Sequence, residues 1–233
     1  MYGKHCNTSR FLIIAAVVWL GAISTPLHAY EARVEELIDN PTVYYQKAFN
    51  VDANPETWNR VLDNLYVMGR LWRVYRFSPA YQVTQTDSGL HVIDPTGIIG
   101  DVRQVGQTDF SRCFYGHGQF NHWALPSFFN ADGVILFEWT MEQNRLVGEV
   151  KISMLGNNWI SRAAMRLISG TLKYYIDNRF THNLEDTKRI IRDIAVEPDK
   201  VRQSLTGSLR DDFNRAFPPT EFKSLRANID DVI

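Results

Sequence analysis

Hydrophobic and polar positions change their period several times along the chain, and each change marks a change of element. Residues 33 to 39 (RVEELID) predict a short helix. Val43, Tyr45, Phe49 and Val51 then fall on alternate positions, the period of a half-buried strand, with Lys47 interrupting the apolar face. Asn54-Pro55-Glu56-Thr57 supplies a capping acceptor, a proline at the first helical position and an acid in the first turn, so a helix begins there. Trp58, Val61, Leu62, Leu65, Met68, Leu71 and Trp72 recur at spacings of three and four, and Gly69 is the expected break into two short helices.

From Tyr81 to Leu155 the pattern is one of short alternating runs separated by turn residues, which predicts an antiparallel meander. The expected strands are Tyr81–Gln85, Leu90–Ile93, Ile98–Val105, Phe110–Tyr115, Gly118–Leu125, Val134–Thr140 and Leu146–Leu155. Thr86-Asp87-Ser88-Gly89, Asp94-Pro95-Thr96-Gly97, Asn130-Ala131-Asp132-Gly133 and Glu142-Gln143-Asn144 read as reversals. In the last two strands Ile135, Phe137 and Trp139 share a face, as do Val150, Ile152 and Met154 of the partner, with Glu149, Lys151 and Ser153 opposite.

An apolar sheet face needs a cover. After Asn157-Asn158 the chain provides one: Ile160, Ala164, Leu167, Ile168, Leu172, Tyr175, Ile176, Phe180, Leu184, Thr187, Ile191 and Ile194 fall at helical spacing. At ~1.5 Å per residue such a helix would span about 50 Å if straight, so a bend or division is expected at Gly170 or within Asn178 to Asn183. Pro198 opens a second amphipathic segment that runs to about Phe217, where Pro218-Pro219 ends it; Thr220 to Ile233 is expected to be peripheral.

The N-terminus follows a different logic. Lys4, His5 and Arg10 precede the apolar run Phe11 to Ala22, and Leu27-His28-Ala29 ends on a small residue, the layout of a secretory signal peptide cut after Ala29. The run is shorter than the ~20 apolar residues of a bilayer-crossing helix. The expected location is therefore periplasmic or secreted, with an uncleaved membrane anchor as the alternative. Cleavage removes Lys4 and Arg10 and no acid, taking the formal charge from −1 to −3. With 25 Lys plus Arg against 26 Asp plus Glu, the overall balance provides no strong field for nucleic acid or an anionic membrane. Cys6 and Cys113 form no zinc or CxxC pattern, and Cys113 reads as a small buried apolar side chain.

The order of strand, two short helices opening on Pro-Glu-x-Trp, antiparallel meander and long C-terminal helix resembles the START / Bet v 1 / polyketide-cyclase (SRPBCC) superfamily. The likeness is carried by Ala48 to Leu71 (AFNVDANPETWNRVLDNLYVMGRL) and Trp159 to Ile194, and it covers about residues 43 to 196. It implies an α+β helix-grip fold, a curved antiparallel sheet of about six to seven strands wrapped on a long C-terminal helix, with a hydrophobic cavity between them. It brings no catalytic residue to this chain. The implied organisation is a signal peptide (1–29), a helix-grip domain (30–197) and a C-terminal helical extension (198–233). The additions at Tyr30 to Asn40 and beyond Glu197 are expected to cap the cavity or to bind a partner.

Candidate chemistry is sparse. His117 and His122 lie an odd number of residues apart, on opposite faces of a strand, and no third ligand sits at a diagnostic spacing, so no metal is expected. There is no G-x-S-x-G elbow, Cys-His signature or HExxH helix, and Gly97 to Gly100 lacks the lysine of a phosphate cradle. Glu138 should face away from Phe137 and Trp139 as a solvated or paired carboxylate. Lys188, Arg189 and Arg192 alternate with Glu185, Asp186 and Asp193, a solvated helix face and not a nucleic-acid footprint.

The expected cavity lining is Trp72, Tyr81, Phe120, Phe137, Trp139, Met154, Met165, Leu172 and Tyr175. Together these readings describe a non-enzymatic exported carrier of a lipid-like or polycyclic hydrophobic ligand, without cofactor, whose further partner would be a membrane or an envelope protein. The alternatives are an aromatase/cyclase-type enzyme orienting its substrate with Tyr115, His122 or Arg112, and a structural envelope protein that uses its C-terminal helix to bind a partner.

Overall fold

The computed structural model describes residues 25–95, 97–120, 130–143 and 145–218. The stretch expected to be a signal peptide, as far as Ser24, together with Thr96, His122 and the tail from Thr220, lies outside the described residues. In chain order the elements are α1 (Thr25–Asp39), β1 (Val43–Val51), α2 (Pro55–Asp63), α3 (Leu65–Val74), β2 (Gln82–Thr86), β3 (Gly89–Ile93), β4 (Ile98–Thr108), β5 (Ser111–Phe120), β6 (Asn130–Glu142), β7 (Arg145–Gly156), α4 (Trp159–Leu167), α5 (Ser169–Val196), α6 (Pro198–Ser204) and α7 (Ser208–Ala216).

The strands form one antiparallel sheet in the order β1-β7-β6-β5-β4-β3-β2. First and second strands in sequence are thus the two edges, and α2 and α3 cross between them. The curved sheet wraps α5, which is the α+β helix-grip arrangement. Facing follows the alternation: Ile135 pairs with Ile152 and Phe137 with Val150. Asn54 caps α2 as expected, its side chain accepting from the Thr57 amide at 2.7 Å.

Several boundaries differ from those expected. The runs Phe110–Tyr115 and Gly118–Leu125 merge, as far as Phe120, into the single strand β5, because Gly116, His117 and Gly118 pair without interruption to β4 and β6. Strand β4 approaches closely there: a Cβ on Gly100 would lie 2.5 Å from the His117 carbonyl oxygen. Gly100, paired with Gly118, thus allows the two strands to lie close. Asn130 to Gly133 likewise belongs to β6, held between β5 and β7. The helix break falls at Asn64 (φ −123°, ψ 45°), not at Gly69. Gly69 instead lets α3 sit on β2, since a Cβ there would meet Val83 Cγ1 at 2.7 Å. The long C-terminal helix divides at Ile168 (φ −102°, ψ 15°), two residues before Gly170, and Asn178 to Asn183 is helical throughout. Beyond Pro198 there are two helices, parted at Gly207, whose φ of 57° favours glycine.

The main core joins Trp58, Leu62, Met68 and Leu71 of α2 and α3, Phe49, Phe114, Trp139 and Val150 of the sheet, and Ile190, Ile191 and Ile194 of α5. Val201, Leu205, Leu209, Phe213 and Phe217 belong to the same cluster, so α6 and α7 pack into the interior. Helix α1 lies on the outer face of the sheet, where Leu37 is buried with Cys113, Val134 and Leu155. The N-terminal addition therefore covers the outer face and not the space beside α5, because Leu37 and Val34 find their apolar partners there.

Gly148 tests how tightly the sheet is packed. It lies opposite both Phe49 and Trp139, and an added Cβ would fall 2.5 Å from the Glu138 carbonyl oxygen and 2.7 Å from Phe49 Cζ. Gly148→Ala should lower the unfolding free energy by about 1–3 kcal/mol, read as an earlier denaturant midpoint with an unchanged slope. An unmoved midpoint would show that the Phe49 ring and the β6 backbone have room to yield.

Candidate functional site

Helix α5 is held at both edges of the sheet by polar side chains. On β1, Tyr45 Oη donates to Asp177 Oδ1 at 2.8 Å, and Lys47 Nζ donates to the same oxygen at 2.8 Å and to Thr181 Oγ1 at 2.6 Å. Lys47, which breaks the apolar alternation of its strand, is thus a pin on the helix. At the opposite side Asn183 Nδ2 donates to Tyr81 Oη at 2.8 Å. Arg179 reaches the buried Asp94 at 3.0 Å and Tyr175 Oη at 3.0 Å. Burial pushes the Tyr81 hydroxyl up to about 12, against the opposing effects of the Asn183 hydrogen bond and the Arg179 charge. Burial and the Asp177 carboxylate raise Tyr45 as well.

Between these pins the interior is unevenly filled. The buried residues of α5 are Thr187, Ile190, Ile191 and Ile194, all in its C-terminal part, beside α6 and α7. Toward the N-terminus, Ile176, Phe180 and Leu184 face Ile135, Phe137 and Ile152 across the sheet–helix interface, and all six are only partly buried. Phe180 meets Phe137 and Phe49 with ring centroids 6.4 and 6.2 Å apart. The sheet–helix interface along the first half of α5 is therefore less completely buried than the core around Phe49 and Trp58, against which these side chains pack.

The nine expected lining residues separate into groups. Phe137 and Tyr81 are partly buried and packed against the main core, and Tyr175 accepts from Arg179 on the same part of α5. Trp72 and Trp139 are buried in the packed core, against Phe77 at 5.8 Å and Trp58 at 6.3 Å respectively. Met154, Met165 and Leu172 gather with Val43 beneath the α4–α5 junction. Phe120 pairs with Ile98 at the end of β5, and its side chain lies outside the described residues. Ile176, Phe180 and Leu184 were legible as helix-face residues, but not that they stay only partly buried at the sheet–helix interface. The pins Asp177, Arg179 and Asn183 carried no signal that set them apart from the other polar residues of an amphipathic helix.

Two clefts lie elsewhere on the described residues. One, of about 330 Å³, sits between α2–α3 and β2–β4 beside Tyr66, Leu90, Val102, Arg103 and Asp212. The other, of about 540 Å³, lies over α2 beside Asn59, Asp63 and Phe110. None of the nine residues lines either.

The polar residues considered for chemistry do not converge. Arg112 is buried on the inner face, forked onto Asp63 at 2.6 and 3.0 Å and lying over the Trp139 ring at 5.7 Å. Tyr115, an odd number of positions away, is on the outer face, with Arg103 over its ring at 5.5 Å. Glu138 is paired with Lys151 at 2.6 Å, and Cys113 is buried. On the outer face His91, Asp101, His117 and Asp132 stand in one row across four neighbouring strands. His117 Nδ1 lies 2.6 Å from Asp132 Oδ1, and Arg33 of α1 donates to Asp132 Oδ2 at 2.6 Å. Among the described residues no group of three or more His, Cys, Asp or Glu side chains is placed to hold a metal ion.

No protein-family model matches this chain, and no curated protein matches it. Among solved structures it is similar to hypothetical protein jhp0584 from Helicobacter pylori, with 12% identity, a TM-score of 0.44, and coverage of 73% of this chain and 96% of that one. It is also similar to the Aha1 dimer from Colwellia psychrerythraea, with 13% identity, a TM-score of 0.37, and coverage of 65% and 95%. DynU16, from the dynemicin biosynthetic locus, shows 15% identity, a TM-score of 0.33, and coverage of 57% and 47%. The fold assignment rests on the strand order and helix placement described above.

Asp132 ties α1 to the sheet and carries a pH dependence. Burial acts to raise its carboxyl, but hydrogen bonds from His117, Arg33 and Asn157 outweigh it and hold the group below the usual carboxylate range. Its contribution to stability is therefore full above that range and is lost as pH falls through the folded value. Asp132→Asn should lower the thermal midpoint at neutral pH and flatten its decline on acidification. Parallel acid profiles for variant and parent would contradict this.

Proposed function

We propose that this protein is an exported, non-enzymatic carrier that holds a lipid-like or polycyclic apolar molecule in a groove between the sheet and α5. The observation that carries the reading is the partial exposure of Ile135, Phe137, Ile152, Ile176, Phe180 and Leu184, six apolar residues facing one another inside the grip. Covering such surface favours a bound ligand by ~25 cal/mol per Å². Tyr81, Tyr175 and Arg179 at the rim supply the few polar groups that orient a ligand in a mainly apolar site.

Exchange needs the stretch of α5 between its junction with α4 and its buried C-terminal part to move off the sheet. Its pins to β1 are partly exposed ion pairs and hydrogen bonds, and an exposed ion pair contributes only about 0–1 kcal/mol. Opening breaks these contacts together with the Arg179–Asp94 pair, and leaves the buried C-terminal half of the helix in place. The separation of Arg112 from Tyr115 onto opposite faces favours a carrier over a cyclase-type enzyme. Export is supported by the leader-like N-terminus, and cleavage after Ala29 would keep Arg33, Val34 and Leu37 of α1 on the sheet.

Native mass spectrometry of the protein purified gently from its own host should show a stoichiometric apolar adduct, and added fatty acid or sterol should raise the thermal midpoint of protein stripped of it. Phe180→Glu, which places a charge in the groove, should weaken uptake at least tenfold while leaving the circular dichroism native; Ile176→Glu serves as a second variant. A parent protein with no adduct and no response to either ligand would defeat the carrier reading.

A further inference from the structure

Charge is balanced over the whole chain but not along it. From Trp159 to Ile176 there are three cations, Arg162, Arg166 and Lys173, and no acid. Asp177, the first acid after them, is occupied by Tyr45 and Lys47. Arg162 is also engaged, with Glu36 and the Gly156 carbonyl. Arg166 and Lys173 are exposed and make no ion pair among the described residues.

The same stretch is apolar on both sides. Inward, Met165 is fully buried with Val43, and Met154, Ala164, Ile168 and Leu172 pack on them, which fixes α4 and the start of α5 to the sheet. Outward, where a surface helix is ordinarily polar, Trp159, Leu167 and Tyr174 stand 78%, 87% and 75% exposed. With Ala163 and Gly170, also exposed, they follow one another at spacings of three and four along α4 and the first turns of α5, on both sides of the division at Ile168. Arg166 and Lys173 immediately precede Leu167 and Tyr174, so each exposed cation borders an exposed apolar side chain.

We propose that this outward stripe of α4 and the start of α5 docks the protein on an anionic lipid surface. Tryptophan and tyrosine suit the boundary between headgroups and acyl chains, because their rings are apolar and their tips polar. Leu167 enters beside them, while Arg166 and Lys173 meet lipid phosphates as on other interfacial amphipathic helices. The stripe has no carboxylate to repel such a surface and none to bind a basic protein partner. The docking surface stands independently of whether the groove holds a ligand.

The test is co-sedimentation of the host-processed protein with vesicles of phosphatidylcholine, with and without phosphatidylglycerol. The protein should partition onto the mixed vesicles and far less onto phosphatidylcholine alone, and added salt should release it. Neutralising one cation (Arg166→Gln or Lys173→Gln) should weaken partition about fivefold. Trp159→Ala with Leu167→Ala should weaken it at least tenfold. Because these side chains face solvent, thermal midpoints should stay within a degree or two, and uptake of fatty acid in solution should be unchanged. Failure to bind either vesicle, or partition that the variants leave intact, would overturn the proposal. So would self-association lost in the same variants without vesicle binding, which would assign the stripe to a second copy of this chain.

Discussion

The structure depends on how one helix is held by the two edges of one sheet. Strands β1 and β2 are the outermost of seven, yet Tyr45 and Lys47 on one side and Tyr81 with Asp94 on the other all reach a short part of α5 between Tyr175 and Asn183. A flat sheet would leave its edges too far apart to touch the same two turns of a helix. Curvature brings them round, and the polar contacts hold it. These contacts are directional, so they set the position and rotation of α5 in a way that apolar packing alone does not.

That constraint divides the interior. Where α6 and α7 close the end of the grip, Ile190, Ile191 and Ile194 are buried against α2, α3 and the sheet. Where α5 is suspended between polar pins, its apolar side chains remain partly accessible. Packing that is complete at one end and incomplete at the other is costly for stability alone, since exposed apolar surface forgoes burial. It suits a site that must admit and release a bulky apolar guest. The outer face shows the opposite arrangement, because α1 seals Cys113, Val134 and Leu155 and locks itself there through Arg33 and Asp132.

Much of this architecture was legible in the residues. The Asn54-Pro55 start of α2, the alternation of Ile135, Phe137 and Trp139, and the amphipathic run after Asn158 rest on local rules, and each appears where those rules put it. Local signals failed where a residue had two uses. Gly116 to Gly118 parts two expected strands but pairs continuously with β4 and β6, where Gly100 of β4 allows the close approach. Asn130 to Gly133 has turn composition but is clamped between two strands, with Asp132 answering His117 and Arg33. Gly69 looked like a break but is a contact surface for Val83. In each case a tertiary neighbour outweighed a propensity worth about 1 kcal/mol or less.

By itself the sequence determined the class of fold, the order of elements and which strand faces are apolar, because periodicity, caps and turn residues act over a few positions and need no partner. It also showed a leader-like N-terminus and a nearly neutral total charge. Only the tertiary structure decided that Lys47 is a helix pin, that Trp72 and Trp139 are fully inside the core while Phe180 is only partly buried at its margin, and that the cations of α4 and α5 stand beside an exposed apolar stripe. Those properties depend on which residues distant in the chain come to lie within a few ångströms, and a pattern read along one strand or helix does not contain that information.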